Sequence, residues 1–180
     1  MFDVMLSTIG LLLALPVMLL IFLLSKADTG SPIFLQKRVG RNKNLFTLIK
    51  FRTMAPNTPS VASHMVNNNA ITPLGHFLRR FKLDELPQLW NVARGDMSLV
   101  GPRPERPAFV ERFEQVMPGY NRRHDIPPGI TGLAQIRGRY QTDPAFKLGH
   151  DLQYIVNWSL VLDLLILAET VAVVIRRSER

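Results

Sequence analysis

Asp84 and Glu85 are the one adjacent pair of carboxylates in the 180-residue sequence. Basic side chains flank them: Arg79, Arg80 and Lys82 before, Arg94 after. An ionised Asp is a nucleophile toward a phosphoryl group, as in aspartyl-phosphate chemistry. A neighbouring Glu can hold Mg2+, which takes carboxylate oxygens together with substrate phosphates. Asp84 also reads as a plain N-cap for a helix starting at Glu85. Both readings use one geometry, because a helix N-terminus favours a phosphate as well as a carboxylate.

Arg103 stands between Pro102 and Pro104, with little backbone freedom. A guanidinium so held suits a fixed fork aimed at phosphate oxygens; the plain alternative is a solvated Arg on a surface turn. Arg137-Gly138-Arg139 follows a Gly-rich loop and reads as a surface basic turn or a phosphate cradle. Lys37-Arg38 and Lys50-Phe51-Arg52 read as a solvated or headgroup-facing edge. The sequence has no Walker A loop, no G-x-G-x-x-G and no nucleophile elbow. The lack of Cys excludes disulfides, Cys-ligated metal sites and a Cys nucleophile. A formal charge of +8 calls for anionic partners: nucleic acid, a membrane surface or a phosphorylated small molecule.

The elements that must position these residues fit one domain. Pro32 to Leu35 and Leu45 to Phe51 read as a strand pair joined by the basic stretch from Lys37 to Asn44. Residues 55 to 70 read as a loop. Thr72 caps a helix with Pro73 at its first position, and Leu74, Phe77, Leu78 and Phe81 form its apolar stripe. A second helix is expected from Glu85 to Ala93, ending near Gly95. A third is expected from Ala108 to Val116. Pro127-Pro128-Gly129 opens a loop containing Gly132 and Gly138.

Val4 to Leu24 carries no charge over 21 positions. As a straight helix it would be about 31 Å long, enough to cross a bilayer core of about 30 Å. Its flanks do not fit a signal peptide. Pro16 sits mid-run and kinks or breaks a helix. The segment is therefore either a kinked spanning helix or a re-entrant hairpin with both ends on one face. Lys26 and the basic residues behind it put the following domain in the cytoplasm in both cases. The apolar stretch from Leu152 to Ile175 carries Asn157, Asp163 and Glu169, so it reads as an amphipathic helix at the interface rather than a second span. Arg176, Arg177 and Arg180 behind it suit anionic headgroups.

Five stretches together carry a resemblance: Asp3 and Pro16 in the apolar run, PIFLQKRVGR (32–41), FTLIKFRTM (46–54), LDELPQLWNVARGDMSLVGPRP (83–104) and PPGITGLAQIRGR (127–139). The sequence resembles the bacterial sugar transferases, monotopic phosphoglycosyl transferases that begin surface glycan assembly, over almost its whole length. The resemblance implies transfer of a sugar 1-phosphate from a UDP-sugar to a polyprenol phosphate, with release of UMP. It implies Asp84 as the nucleophile forming a phosphosugar-aspartyl intermediate, and Glu85 assisting with Mg2+, the pair being the metal ligands. It puts the phosphate-binding arginines on Arg79, Arg103 and Arg139, and the membrane hairpin on Val4 to Leu24 broken at Pro16. The fold expected is a small α/β, mostly helical cytoplasmic domain (26–180) behind a re-entrant membrane helix (1–25), with interfacial amphipathic helices. This would be a stand-alone small member on the cytoplasmic face of a bacterial inner membrane. The implied partners are the UDP-sugar, the polyprenol phosphate and membrane lipids, with a homo-oligomer left open. Nucleic acid is set aside, because it would leave the apolar terminus unexplained. Two departures stand out. No basic residue precedes Phe2-Asp3, and Leu15 replaces a common Ser before Pro16, removing a hydroxyl that could satisfy carbonyls freed by the break.

Overall fold

The computed structural model describes residues 2–56, 58, 70–138 and 143–178, with side chains up to 175 at the C-terminal end. The apolar run is part of one helix, α1, Phe2–Thr29, with Pro16 inside it. Helical structure continues across Pro16, so the expected break is not an interruption of the helix; helices in apolar surroundings accommodate Pro. Both halves of α1 meet the rest of the protein. Near its start, Asp3 accepts a 2.7 Å hydrogen bond from Ser98 Oγ, and Gly10 approaches Leu89. Near its end, Ile21 packs with Phe51 and Leu78 in a buried cluster. Between these contacts, Leu12, Leu13, Leu15, Leu19 and Leu20 are exposed.

An antiparallel hairpin follows, β1 (Ile33–Val39) and β2 (Leu45–Phe51). Strand β1 runs further than expected, into the basic stretch, and the connection tightens to a 3-10 turn at Arg41–Lys43. Opposed residues of an antiparallel pair share a face. Phe34, Gln36 and Arg38 pair with Lys50, Leu48 and Phe46, so one face combines apolar core residues with two cations. The outer edge of β2 is closed by a side chain. Asn91, fully buried, donates to Thr47 O at 2.8 Å and accepts from Ile49 N at 3.1 Å. It thereby satisfies groups that a neighbouring strand would otherwise take.

Helix α2 is Pro73–Arg80, and Thr72 caps it as expected, its Oγ1 accepting from Gly75 N at 2.9 Å. A Cβ on Gly75 would fall 2.1 Å from Thr53 O, so only glycine lets α2 press this closely against the chain leaving β2. The second expected helix is shorter. A 3-10 turn covers Leu83–Glu85 and α3 begins only at Gln88, ending at Ala93. Pro87 takes the N-cap position of α3, so the α-helix begins after it rather than at Glu85.

Strand β3 (Ser98–Val100) pairs in parallel with β4 (Gly129–Thr131), and α4 (Pro107–Val116) plus a 3-10 turn (Tyr120–His124) lie between them. The expected Gly-rich loop is thus ordered into β4 and a short helix, α5 (Leu133–Arg137). The C-terminal apolar stretch is two helices, α6 (Pro144–Val156) and α7 (Leu160–Ser178), divided at Asn157. Asp163 of α7 accepts from Tyr154 Oη at 2.7 Å and from Trp158 Nε1 at 3.2 Å. Ile166 is buried, while Val161, Leu164, Leu165, Val171 and Ile175 face outward.

Candidate functional site

The acidic pair lies on the 3-10 turn between α2 and α3, and both members are buried. Lys82 enters this turn in the left-handed region (φ 59°), a strained conformation for a residue with a side chain. Asp84 does not cap α3. Pro87 holds the N-cap position there, without a side-chain hydrogen bond. Asp84 Oδ1 is buried with no hydrogen-bond partner among the described residues. An unsatisfied carboxylate oxygen in such a place costs about 1–3 kcal/mol or more, so structure alone gives no reason for it.

Glu85 has a different setting. Arg103 grips it with both nitrogens, Nη2 to Oε1 at 2.5 Å and Nη1 to Oε2 at 3.5 Å. Burial pushes the Glu85 carboxyl up, but the Arg103 charge, then Lys82 and the hydrogen bond, outweigh it and bring the pKa to about 2. Asp84 moves the other way. Burial first, and the Glu85 charge second, raise its pKa above 3.8, against the pull of Lys50, Lys82 and Arg79. Two adjacent carboxylates thus differ in role: one is a fixed counter-ion, the other a more basic group with a free oxygen.

Lys50 is the residue that sequence reasoning misplaced. It is no solvated edge. It stands on the hairpin face close enough to feel Arg103, Asp84 and Glu85, and burial first, then Arg103, lower its pKa to about 8. Its ammonium lies 5.4 Å from the centre of the Phe34 ring, its cross-strand partner. The signal was present in the alternation of β2: Leu48 and Lys50 share a face, and Leu48 is core. Asn91 ties α3 to Ile49, the residue before Lys50. That side chain, with the packing of Leu48 on Val92 and of Phe51 on Leu83 and Leu86, holds hairpin and acidic turn in register.

Arg79, on the last turn of α2, donates from Nε to Thr53 Oγ1 at 2.8 Å and is within electrostatic reach of Asp84. Arg103 and Arg79 therefore both converge on the pair. Arg139 lies outside the described residues. Arg38, also read as edge, donates from Nη1 to Pro104 O at 2.8 Å and so supports the Arg103 segment.

The donor set suits Mg2+. Among the described residues no group of three or more His, Cys, Asp or Glu gathers, which argues against an all-protein metal cage. Mg2+ instead uses one or two carboxylates and completes its shell with substrate phosphates and water. The unpartnered Asp84 oxygen is of the kind such a shell takes. Glu85 stands beside it, with both oxygens turned to Arg103.

A buried acidic pair ringed by cations, on a small α/β domain joined to a helix long enough to cross a membrane, defines the class: an anion-handling site carried next to an apolar anchor. The chain belongs to the bacterial sugar transferase family, whose model matches residues 1–177. It is 38% identical over 179 residues to a UDP-N-acetylgalactosamine-undecaprenyl-phosphate N-acetylgalactosaminephosphotransferase of Aeromonas hydrophila, covering 96% of this chain and 42% of that protein. It is 43% identical over 177 residues to a UDP-glucose:undecaprenyl-phosphate glucose-1-phosphate transferase of Escherichia coli, covering 94% and 38%. It is 38% identical over 191 residues to the exopolysaccharide production protein ExoY of Rhizobium meliloti, covering 96% and 83%. The chain thus spans about two fifths of the first two relatives and most of the third.

Proposed function

We propose that this protein transfers a sugar 1-phosphate from a UDP-sugar to a polyprenol phosphate, with Asp84 as the covalent nucleophile. The observation that carries the reading is the buried Asp84 carboxylate with one oxygen unpartnered, beside a Glu85 already neutralised by Arg103. The names of the relatives supply the donor and acceptor classes.

In the first half-reaction, an Asp84 oxygen attacks the phosphorus next to the sugar. The new O–P bond forms as the bond to the UMP oxygen breaks, and UMP leaves with the electron pair. In the second, a phosphate oxygen of the polyprenol phosphate attacks the same phosphorus and Asp84 departs as carboxylate. The product is a polyprenyl diphosphate sugar. A double displacement lets a soluble donor and a lipid acceptor use one phosphate position in turn. Arg103 and Arg79 hold diphosphate oxygens, and Lys50 supplies further positive charge near the leaving phosphate. Arg139 is assigned to the same task by family resemblance. Mg2+, held by Asp84 and Glu85, would neutralise diphosphate charge when bound.

The lipid acceptor calls for a membrane. We read α1 as re-entrant, with Phe2 and Lys26 on the cytoplasmic face. Support comes from the contacts at its two ends. Asp3 reaches Ser98 and Ile21 reaches Phe51, all within one domain. A helix crossing the bilayer would hold its ends about 30 Å apart on opposite sides. The outward apolar side chains of α7 would lie in the same interface.

The test omits the acceptor. Purified protein in detergent, given Mg2+ and UDP-sugars labelled in the sugar phosphate, should acquire label at Asp84 and release up to one equivalent of UMP. Asp84→Asn should fold, acquire no label and show no turnover. Initial-rate lines that intersect, together with unlabelled protein after rapid quench, would sink the covalent mechanism.

A further inference from the structure

Arg103 is aimed by its backbone, and that backbone is held at four consecutive carbonyls. Pro102 O accepts from Gly129 N at 2.9 Å, Arg103 O from Arg123 Nη2 at 2.9 Å, Pro104 O from Arg38 Nη1 at 2.8 Å, and Glu105 O from Val39 N at 3.0 Å. Two of these donors are main chain of neighbouring strands. Arg123 stands out because it is buried and fully committed. Its Nε donates to Asp151 Oδ2 at 2.7 Å and its Nη1 to Tyr120 Oη at 2.6 Å. The Arg123 and Asp151 side chains are only 8% and 4% exposed.

Such a pair is poorly explained by stability. Desolvating two charges can cost more than their attraction returns, and apolar residues of similar volume are often as good or better. What an apolar pair cannot do is present a donor to Arg103 O. The fixed fork of a guanidinium serves three acceptors in one plane: Asp151 to orient it, Tyr120 beside it and the Arg103 carbonyl as its object.

We infer that Arg123, oriented by Asp151 and Tyr120, is a positioning residue that sets the Arg103 guanidinium on Glu85 and toward the donor diphosphate. The ligand in this statement rests on the function proposed above; the effect on Glu85 does not. Arg123 touches no reacting atom and acts through Arg103 alone.

Arg123→Met combined with Asp151→Leu removes both charges and keeps the volume. The thermal midpoint should stay within a few degrees of wild type or rise. Catalytic efficiency toward the UDP-sugar should nevertheless fall about 10- to 100-fold, as expected when a binding group is misplaced by about an ångström. The fall should sit mainly in KM for the sugar nucleotide. In an Arg103→Ala background, the same double substitution should cost almost nothing more. An equal further loss in that background would mean a general structural role and overturn the inference. A second readout needs no turnover. A crystal structure of the double variant should show the Arg103 guanidinium displaced from Glu85, where wild type holds it by Nη2 to Oε1. An unmoved Arg103–Glu85 pair would refute positioning even if activity fell. Wild type that releases no UMP from any UDP-sugar would end the functional proposal, and the position of Arg103 in the double variant would still decide the role of Arg123. Should the double variant fail to fold, Arg123→Lys keeps the charge beside Asp151 but lacks the fork, and both readouts should shift in the same directions.

Discussion

Arg103→Ala separates the structural and chemical work of one side chain. In the folded protein the Glu85 carboxyl falls from 4.5 to about 2, chiefly because Arg103 outweighs the effect of burial. At about 1.4 kcal/mol per pH unit this is roughly 3 kcal/mol. The Arg103 side chain is 38% exposed, so solvent screening brings the figure to about 2 kcal/mol. The sign follows from linkage. A carboxyl with a depressed folded pKa contributes stability that is complete above its unfolded value of 4.5 and is lost as pH falls toward 2. Arg103→Ala leaves in place the burial that raises the Glu85 pKa, so it should lower unfolding free energy by at least about 2 kcal/mol at pH 7, and the gap from wild type should narrow steadily as pH falls toward 2.5. Denaturant unfolding in a non-ionic detergent, at several pH values, measures this. Loss of the Arg stem from the packing would also destabilise, but by the same amount at every pH. A gap that does not narrow in acid would refute the ion-pair account. Catalytic efficiency should drop by about 10- to 150-fold, the cost of about 1.5–3 kcal/mol for a lost charge-assisted contact, and Arg103→Lys should not restore it.

Three further outcomes follow from the site and the helix. Lys50 carries its charge only below about pH 8, so the efficiency toward sugar nucleotide should fall as pH rises past 8; Lys50→Arg should abolish that alkaline limb, while Lys50→Met should lower efficiency throughout. As the proposed nucleophile Asp84 has to be ionised, so the acid limb of the same profile should lie above 3.8, and it should disappear from any residual binding measured with Asp84→Asn. Cysteines introduced at positions 2 and 26 should both resist an impermeant thiol reagent applied to intact cells, whereas labelling of position 2 alone would mean that α1 spans the bilayer.

Local signals in the sequence were reliable where one residue type has one cause. Thr72-Pro73 marks a helix start because a hydroxyl cap and a preset φ act within four residues, and the structure has that cap. The apolar run forms a helix from composition alone. The acidic turn was legible as a carboxylate pair but not as a shape. Asp84-Glu85 looked like a helix start, but the pair forms a 3-10 turn and α3 begins only after Pro87. What stayed hidden was everything set by distant partners. Lys50 is drawn to the site by a face shared with Leu48, Asn91 is buried to close a strand edge 42 residues away, and Arg123 reaches 20 residues back to Arg103. Each is an ordinary polar residue until the chain folds. The short parallel pair β3 and β4 also escaped, because three-residue strands leave almost no periodicity to detect.

The seating of α1 has a practical consequence for anyone cutting the protein. Sequence suggests a clean boundary near residue 25, with a detachable anchor before it. Packing does not respect that line. Removing the helix would uncover Phe51 and Leu78, each 1% exposed, leave Ser98 without the Asp3 carboxylate, and strip the cover from Leu89 on the helix that follows the acidic turn. A fragment beginning at residue 26 would therefore carry a raw hydrophobic seam beside its own acidic turn. Its insolubility, or its inactivity if refolded, should not be mistaken for a need for lipid as substrate. A better soluble surrogate would keep α1 and recolour its outer face, replacing Leu12, Leu13, Leu19 and Leu20 with polar residues while Ser7, Ile21 and Ser25 stay in place.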